Sequence, residues 1–417
     1  MSERLQVPRG TYDVLPQDAG ARAALEATAR RILEGAGYAR IETPAFEHTE
    51  VFARGVGAST DIVQKEMYTF DDGGGRSVTL RPEGTAPICR AYAEHGMHKL
   101  PQPVKLWYLS SFFRQEKPQA GRFRQFWQVG AEAIGSDDPA VDAESIVLLS
   151  TLLDELEVGG LRLRLASLGT LAARHAYREE LQAYLRAHAD ELSADVRERI
   201  DLNPLRAFDS DHPGTRAAMA GAPLLLDHLD ADDAAHFAAV RELLDRAGIA
   251  YEVDPTLVRG LDYYTRTVFE FTSDALGAQS GVGGGGRYDG LVEMLGGPAT
   301  PGCGWAAGIE RMLLAAGGMP VAAPPVDLYV AFDDAAGSRA AAFAVADEAR
   351  SARLHAQLEL AGRSRKGQLK HADRIDARYV AVVSDDTTVL RDRHAGEQHG
   401  VPTGDVVAWI LRERGMR

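Results

Sequence analysis

The spacing of apolar positions changes period several times along the chain, and each change marks a predicted element. Ala19 to Ala36 is rich in Ala, Leu, Glu and Arg and stops at Gly37, which predicts a helix with a glycine at its C-terminal end. Tyr38 to Pro44 then reads as a strand halted by proline. Two β-rich runs, Leu106 to Arg114 and Phe126 to Ile134, flank a charged stretch and predict a long antiparallel hairpin. Asp138-Pro139 opens a helix expected to run to about Leu156, with proline at its first position. Leu161, Leu163 and Leu165 alternate with arginines, as a strand would.

From about Thr170 to Gly248 the pattern becomes short Ala/Leu/Arg/Glu helices with acidic loops such as Asp230-Ala231-Asp232-Asp233. Sheet-like segments resume at Tyr251, and Val268, Phe269 and Phe271 alternate like a half-buried strand. Residues 170–248 therefore read as a helical insertion between two parts, 1–169 and 249–320, of one sheet-bearing domain. A Gly/Pro-rich linker runs from Gly317 to Pro325. After it the chain reads β-α-β-α: a strand over Val326–Phe332, a helix over Ala335–Ala352, a strand over Ala377–Val383 and a helix over Val406–Arg414. Residues 326–417 are expected to form a small α/β domain, and the fold class of the whole is α+β.

Composition narrows the function. At 417 residues, with 45% hydrophobic and 25% charged positions, the chain suits a soluble protein of two or three domains. No stretch approaches eighteen uninterrupted apolar residues, and the N-terminus lacks the apolar region of a secretory signal, so no membrane association is expected. The two cysteines, Cys89 and Cys303, have no CxxC spacing; they argue against disulfides and structural zinc and fit a reducing cytoplasm. The twelve histidines show no HExxH pairing, so a zinc hydrolase is not expected. A net charge of −14 opposes nucleic-acid binding in bulk, but basic clusters at Arg114–Arg124 and Arg363–Arg374 are enough for a local phosphate-binding groove.

Four segments carry chemistry. In the hairpin, Phe112-Phe113-Arg114-Gln115-Glu116 places an arginine at a strand end with aromatics behind it, suited to a phosphate. Its tip, Gly121-Arg122-Phe123-Arg124-Gln125-Phe126, interleaves cations and rings, which suits a purine and its phosphates and equally a solvated surface tip. Leu257-Val258-Arg259-Gly260-Leu261-Asp262-Tyr263-Tyr264 is a turn with a cation, an acid and two tyrosines, and Ser280 to Gly290 is a glycine-rich run ending Arg287-Tyr288-Asp289-Gly290. Gly302 to Leu314 is a strand-to-helix junction thinned by glycines, so that a nucleotide can approach the backbone; plain packing would use the same glycines. Arg81-Pro82-Glu83-Gly84-Thr85 reads by itself as a helix-capping turn. Gly281 to Gly286 satisfies GxGxxG, but it makes a poor strand and the following Arg287-Tyr288-Asp289-Gly290 is a turn-like continuation, so a Rossmann site is not expected, and no GxxxxGK[ST] loop occurs.

Taken together, these peptides resemble those of the histidyl-tRNA synthetase family, within the class II aminoacyl-tRNA synthetases. Arg259 to Tyr264 and Ser280 to Gly290 are similar to its two histidine signature peptides, Arg114 to Phe126 to motif 2, and Gly302 to Arg311 to motif 3. Val7 to Asp13 is similar to the family's opening, Gly37 to Pro44 to motif 1, and Asn203 to Asp209 to its helical insertion. The departures are Trp127, an extra glycine in 283–286, and the Asp-rich region at Asp385-Asp386.

The resemblance implies an antiparallel-sheet catalytic domain and an anticodon-binding α/β domain over the last stretch of chain. It implies ATP-dependent activation of L-histidine with release of pyrophosphate, followed by transfer to tRNA(His), in a cytoplasmic homodimer joined through motif 1. It assigns ATP to Arg114, Glu116, Arg122, Phe126, Arg259 and Arg311, with Arg114 and Arg259 catalytic at the α-phosphate. Histidine falls to Glu83 and Thr85 at the ammonium, and to Gln128, Glu132, Tyr263, Tyr264 and Tyr288 around the ring. A ring with one donor and one acceptor nitrogen can be selected by paired polar groups without editing. Magnesium is expected to arrive with ATP, on its phosphates. The rival is a non-catalytic regulatory paralogue of ATP phosphoribosyltransferase, which lacks the Arg259 peptide and the C-terminal domain that this chain retains.

Overall fold

The hairpin forms as its alternation demands. Val104–Phe113 and Gln125–Ile134 are ten residues each and pair antiparallel throughout, from Val104 opposite Ile134 to Phe113 opposite Gln125. In this computed structural model, which describes residues 4–57, 60–277, 280–318, 325–333, 337–384 and 386–415, the hairpin lies inside an eight-stranded sheet. The order is Ala39–Arg40, Val104–Phe113, Gln125–Ile134, Gly302–Gly308, Gly281–Arg287, Thr265–Ser273, Leu161–Ser167 and Glu252–Val253. Only the outermost pair at each edge is parallel; the five inner pairings are antiparallel.

Strand alternation divides the sheet into two faces. One face presents Trp107, Val129, Ala131, Trp305, Ala307, Phe269 and Leu165 to a buried core. Leu25, Ile32 and Leu33 of helix Pro16–Gly35 and Ile146, Leu149 and Leu153 of helix Pro139–Glu155 pack there, with Phe237, Val240 and Leu244 of helix Ala231–Arg246. The last of these helices lies in the 170–248 region, whose described residues form helices and no strand. The other face presents Phe126, Gln128, Gly130 and Glu132 beside Gly304, Gly284, Gly286 and Glu270. Small residues on its inner strands leave an open floor there.

Boundaries moved modestly from the sequence pattern. The first helix starts at Pro16, and proline at its first position explains the earlier start. The strand expected over Tyr38–Pro44 shortens to Ala39–Arg40 at the sheet edge. Helix Pro139–Glu155 begins as predicted, with the Asp138 carboxylate accepting from the Ala140 N–H at 2.8 Å. The glycine run dismissed as a poor strand is instead a central strand, Gly281–Arg287, and Arg287 completes it rather than opening a turn. Side chains would not fit at its central glycines: a Cβ on Gly285 would lie 2.0 Å from the Gly304 carbonyl oxygen.

The chain divides into two compact units, Met1–Pro320 and Val321–Arg417. The second is a five-stranded sheet in the order Ala356–Leu358, Leu328–Phe332, Tyr379–Ser384, Thr387–Asp392, Glu397–Pro402, parallel at first and antiparallel in its last two pairings. Helices Ser338–Ser351 and Val406–Glu413 share one of its cores. Residues 319–324 of the expected linker, the expected helix start at Ala335, and Asp385 lie outside the described residues. A small antiparallel sheet, Phe46–His48, Ser77–Leu80 and Tyr68–Asp71, completes the first unit and exposes Phe46 and Phe70, whose ring centroids are 6.4 Å apart.

Candidate active site

A cleft of about 700 Å³ opens on the small-residue face of the sheet. Arg114, Glu116, Arg122, Phe126, Arg259 and Arg311 all line it, with Gln128, Glu270 and the backbone of Gly281–Gly284. The hairpin supplies one wall. Arg114 lies over the Phe126 ring at 5.3 Å and donates from Nε to the Pro82 carbonyl at 2.9 Å, while Arg122 pairs with Glu116. The opposite wall is Arg259, which donates from Nη1 to Glu270 Oε1 at 2.6 Å. Burial alone would lower the Arg259 pKa, but the Glu270 carboxylate together with Tyr264 and Tyr263 outweighs it and the pKa rises. Its guanidinium needs the bare backbone opposite, since a Cβ on Gly284 would sit 3.1 Å from Arg259 Nη2. Arg311, on helix Ile309–Ala315, donates from Nε to the Gly281 carbonyl and so lies across the glycine strand.

A buried polar cluster of a different character lies further in on the same face. Glu132 is fully buried, accepting from Thr85 Oγ1 at 2.8 Å and from the Tyr288 hydroxyl at 2.6 Å. Burial pushes its carboxyl up to about 8, against the opposing pull of those two donors. The rings of Tyr263 and Tyr264 stand 4.8 Å apart, and Tyr263 meets Tyr288 edge-on at 5.9 Å. Burial pushes the Tyr264 hydroxyl up to about 12. Glycines make the room: a Cβ on Gly304 would lie 1.8 Å from Glu132 Oε2, and one on Gly302 would lie 2.4 Å from Tyr288. Glu83 does what its local sequence suggested, accepting from the N–H groups of Thr85 and Ala86 at 2.7 and 3.0 Å and capping helix Thr85–Glu94. Burial raises the Glu83 pKa, with those two N–H groups opposing.

The structure thus gathers the residues that the resemblance assigns to ATP and histidine into two adjoining places, with Gln128 between them. Arg114, Glu116, Arg122, Phe126, Arg259 and Arg311 surround the cleft, and Glu83, Thr85, Glu132, Tyr263, Tyr264 and Tyr288 form the buried cluster. Gln128 lies on the strand between them, its Oε1 buried with no hydrogen-bond partner among the described residues. Three further groups escaped the sequence reading. Glu270 orients Arg259, and its alternation within Thr265–Ser273 was the available signal. Tyr108 lies against Gly84 and Gly130, its hydroxyl likewise buried without a partner among the described residues. Glu310 accepts from Tyr12, Arg22 and the Trp127 N–H, tying the N-terminal segment and the hairpin to the helix that carries Arg311. Among the described residues no group of three or more His, Cys, Asp or Glu side chains could hold a metal ion, and no helix is long and apolar enough to cross a membrane.

Comparison with known proteins bears on this arrangement directly. The family model for histidyl-tRNA synthetase matches residues 10–312. The chain belongs to the histidyl-tRNA synthetase family. Relatives named histidine–tRNA ligase from Desulforudis audaxviator and Halorhodospira halophila are each 48% identical, over 97% of this chain and 98% and 97% of theirs. The crystal structure of apo histidyl-tRNA synthetase from S. aureus superposes with a TM-score of 0.81 at 34% identity, covering 98% of this chain and all of that one. A Bacillus halodurans structure described as an ATP phosphoribosyltransferase regulatory subunit/histidyl-tRNA synthetase matches at a TM-score of 0.64 but 21% identity, a likeness of fold alone. Near-full-length identity to the ligases places this member of the family with the enzymes rather than with the regulatory paralogue.

Proposed function

We infer that this chain is a histidine–tRNA ligase whose cleft binds ATP and whose buried cluster binds L-histidine. The observation that carries the reading is the pairing of two unlike environments on one sheet face: two arginines facing each other across an open cleft, and a fully buried carboxyl beside it. Arg114 and Arg259 neutralise the α-phosphate of ATP from opposite sides. The histidine carboxylate oxygen attacks the α-phosphorus, a P–O bond forms, and the bond to pyrophosphate breaks with its electron pair leaving on pyrophosphate. Positioning and charge neutralisation are the main protein contributions to such a displacement. Magnesium carried on the ATP phosphates would supply further charge neutralisation there.

In this reading Arg122, Glu116, Phe126 and Arg311 hold the nucleotide. Glu132, with Tyr264, Tyr288, Tyr263 and Gln128, reads the ring nitrogens, and Glu83 with Thr85 receives the ammonium. In the second step the 3′-terminal ribose hydroxyl of tRNA(His) attacks the adenylate carbonyl and AMP leaves. We assign residues 170–248 to the helical insertion and 326–417 to anticodon binding. Exposed Phe46, just past motif 1, and exposed Phe70, whose ring lies beside it, fit a homodimer contact there, and cytoplasmic location accords with the two buried free cysteines. Charging of tRNA(His) with labelled histidine tests the reading. Histidine-specific charging supports it, and full-length folded protein that charges no tRNA would favour the regulatory paralogue.

A further inference from the structure

The strand that follows the tyrosine pair is kinked. Thr265–Ser273 pairs with Gly281–Arg287, but the register slips at its start: Val268 lies opposite Gly286, whereas Thr265 lies opposite Arg287. Arg266 and Thr267 therefore have no partner on the glycine strand, the arrangement of a β-bulge, which re-aims the side chains beside it. Arg266 has φ +42, a left-handed conformation that is costly for any residue but glycine and persists only where its surroundings impose it.

The surroundings that impose it come from the end of strand Leu161–Ser167 and from the helical region that follows it. The Arg266 N–H donates to the Gly169 carbonyl at 2.8 Å, and its own carbonyl accepts from the Leu168 N–H at 2.6 Å. Its side chain donates from Nε to Asp233 Oδ1 at 2.8 Å. Asp233, on helix Ala231–Arg246, has a side chain with no solvent exposure, and its other oxygen accepts from the Thr170 N–H at 2.6 Å. The fit at Gly169 is close, since a Cβ there would lie 3.0 Å from Asp233 Oδ2. From the neighbouring helix, Leu171–Ala187, Arg174 donates to the carbonyl of Tyr264 itself. On its other side Thr265 Oγ1 accepts from the Asp289 N–H at 3.3 Å, next to Tyr288.

We propose that Asp233 and Arg266 are positioning residues for the amino-acid site: together they clamp the bulge that aims Tyr263 and Tyr264 into it. The inference rests on the assignment of those tyrosines to histidine binding. The clamp touches no part of the ATP cleft, so its loss separates two Michaelis constants. In pyrophosphate exchange with the full chain, Arg266→Ala and Asp233→Asn raise the KM for histidine about tenfold, because small misplacements of binding groups carry large kinetic costs. The KM for ATP stays within about twofold, and Arg266→Lys, which restores a cation to Asp233, recovers most of the loss. Arg266→Gly accepts a positive φ without strain; it removes the clamp from a chain that still folds and shows the same rise. Tyr264→Phe is run beside them. If it raises the histidine KM while the folded clamp variants do not, or if they raise both constants equally, the inference is overturned. If Tyr264→Phe leaves the histidine KM unmoved, the pocket assignment fails and takes the inference with it.

Discussion

Glu132→Gln separates what burial does to Glu132 from what its hydrogen bonds do. The wild-type carboxyl is held at about 8 against an ordinary 4.5, so between those pH values the folded state keeps a proton that the unfolded chain has released. Stability from this group is complete below about pH 4.5 and is lost as pH rises toward 8. At ~1.4 kcal/mol per pH unit, the displacement corresponds to a loss of ~5 kcal/mol by pH 8.5. Glutamine keeps the shape and cannot ionise. The variant should therefore match the wild type to within about 1 kcal/mol at pH 5 and be more stable at pH 8.5 by several kcal/mol, up to ~5. Urea unfolding of both proteins at the two pH values, followed by tryptophan fluorescence of the first unit, measures it. A stability difference that does not change with pH would refute the argument.

Two other substitutions test the packing argument and the helix start. Gly304→Ala puts a Cβ 1.8 Å from Glu132 Oε2 and 2.6 Å from the Ala131 carbonyl oxygen. Backbone on one side cannot give way, so urea unfolding should show a loss of at least ~1–3 kcal/mol, with the histidine KM raised in whatever folds. Asp138→Ala removes the carboxylate that caps helix Pro139–Glu155 and should cost ~1 kcal/mol. Its pyrophosphate exchange rate should stay at the wild-type level, which a steady-state assay checks.

Much of the fold was legible because its elements obey local rules. The hairpin alternated, Asp138-Pro139 announced a helix, and the cleft arginines stood in segments with aromatics or glycines around them. What stayed hidden was set by distant partners. Gly281–Arg287 reads as a poor strand because glycine has low intrinsic β preference, yet neighbouring strands come too close for a side chain at Gly283, Gly284, Gly285 and Gly286. Arg287 read as part of a turn, whereas it is fully buried against Asp142, which also takes a 2.7 Å hydrogen bond from His236. The three are separated by up to 145 positions and share no local pattern. In the second unit Glu397–Pro402 and helix Arg365–Arg374 escaped notice because their sequences are mostly polar. Glu270 and Glu310 were missed for a related reason. Each matters through the arginine it meets, and a carboxylate in an alternating strand or a first helical turn looks like ordinary solvated charge.

The central claim is that Arg259 and Arg114 together neutralise the phosphate at which histidine is activated. Pyrophosphate exchange into ATP, with histidine against a panel of other amino acids, tests it most directly in the wild type and in Arg259→Ala. The account predicts exchange with histidine alone, falling about 10²–10³-fold in the variant, as loss of a group aimed at transition-state charge does. Folded Arg259→Ala that exchanges at the wild-type rate, or wild type that exchanges with no preference for histidine, would contradict it.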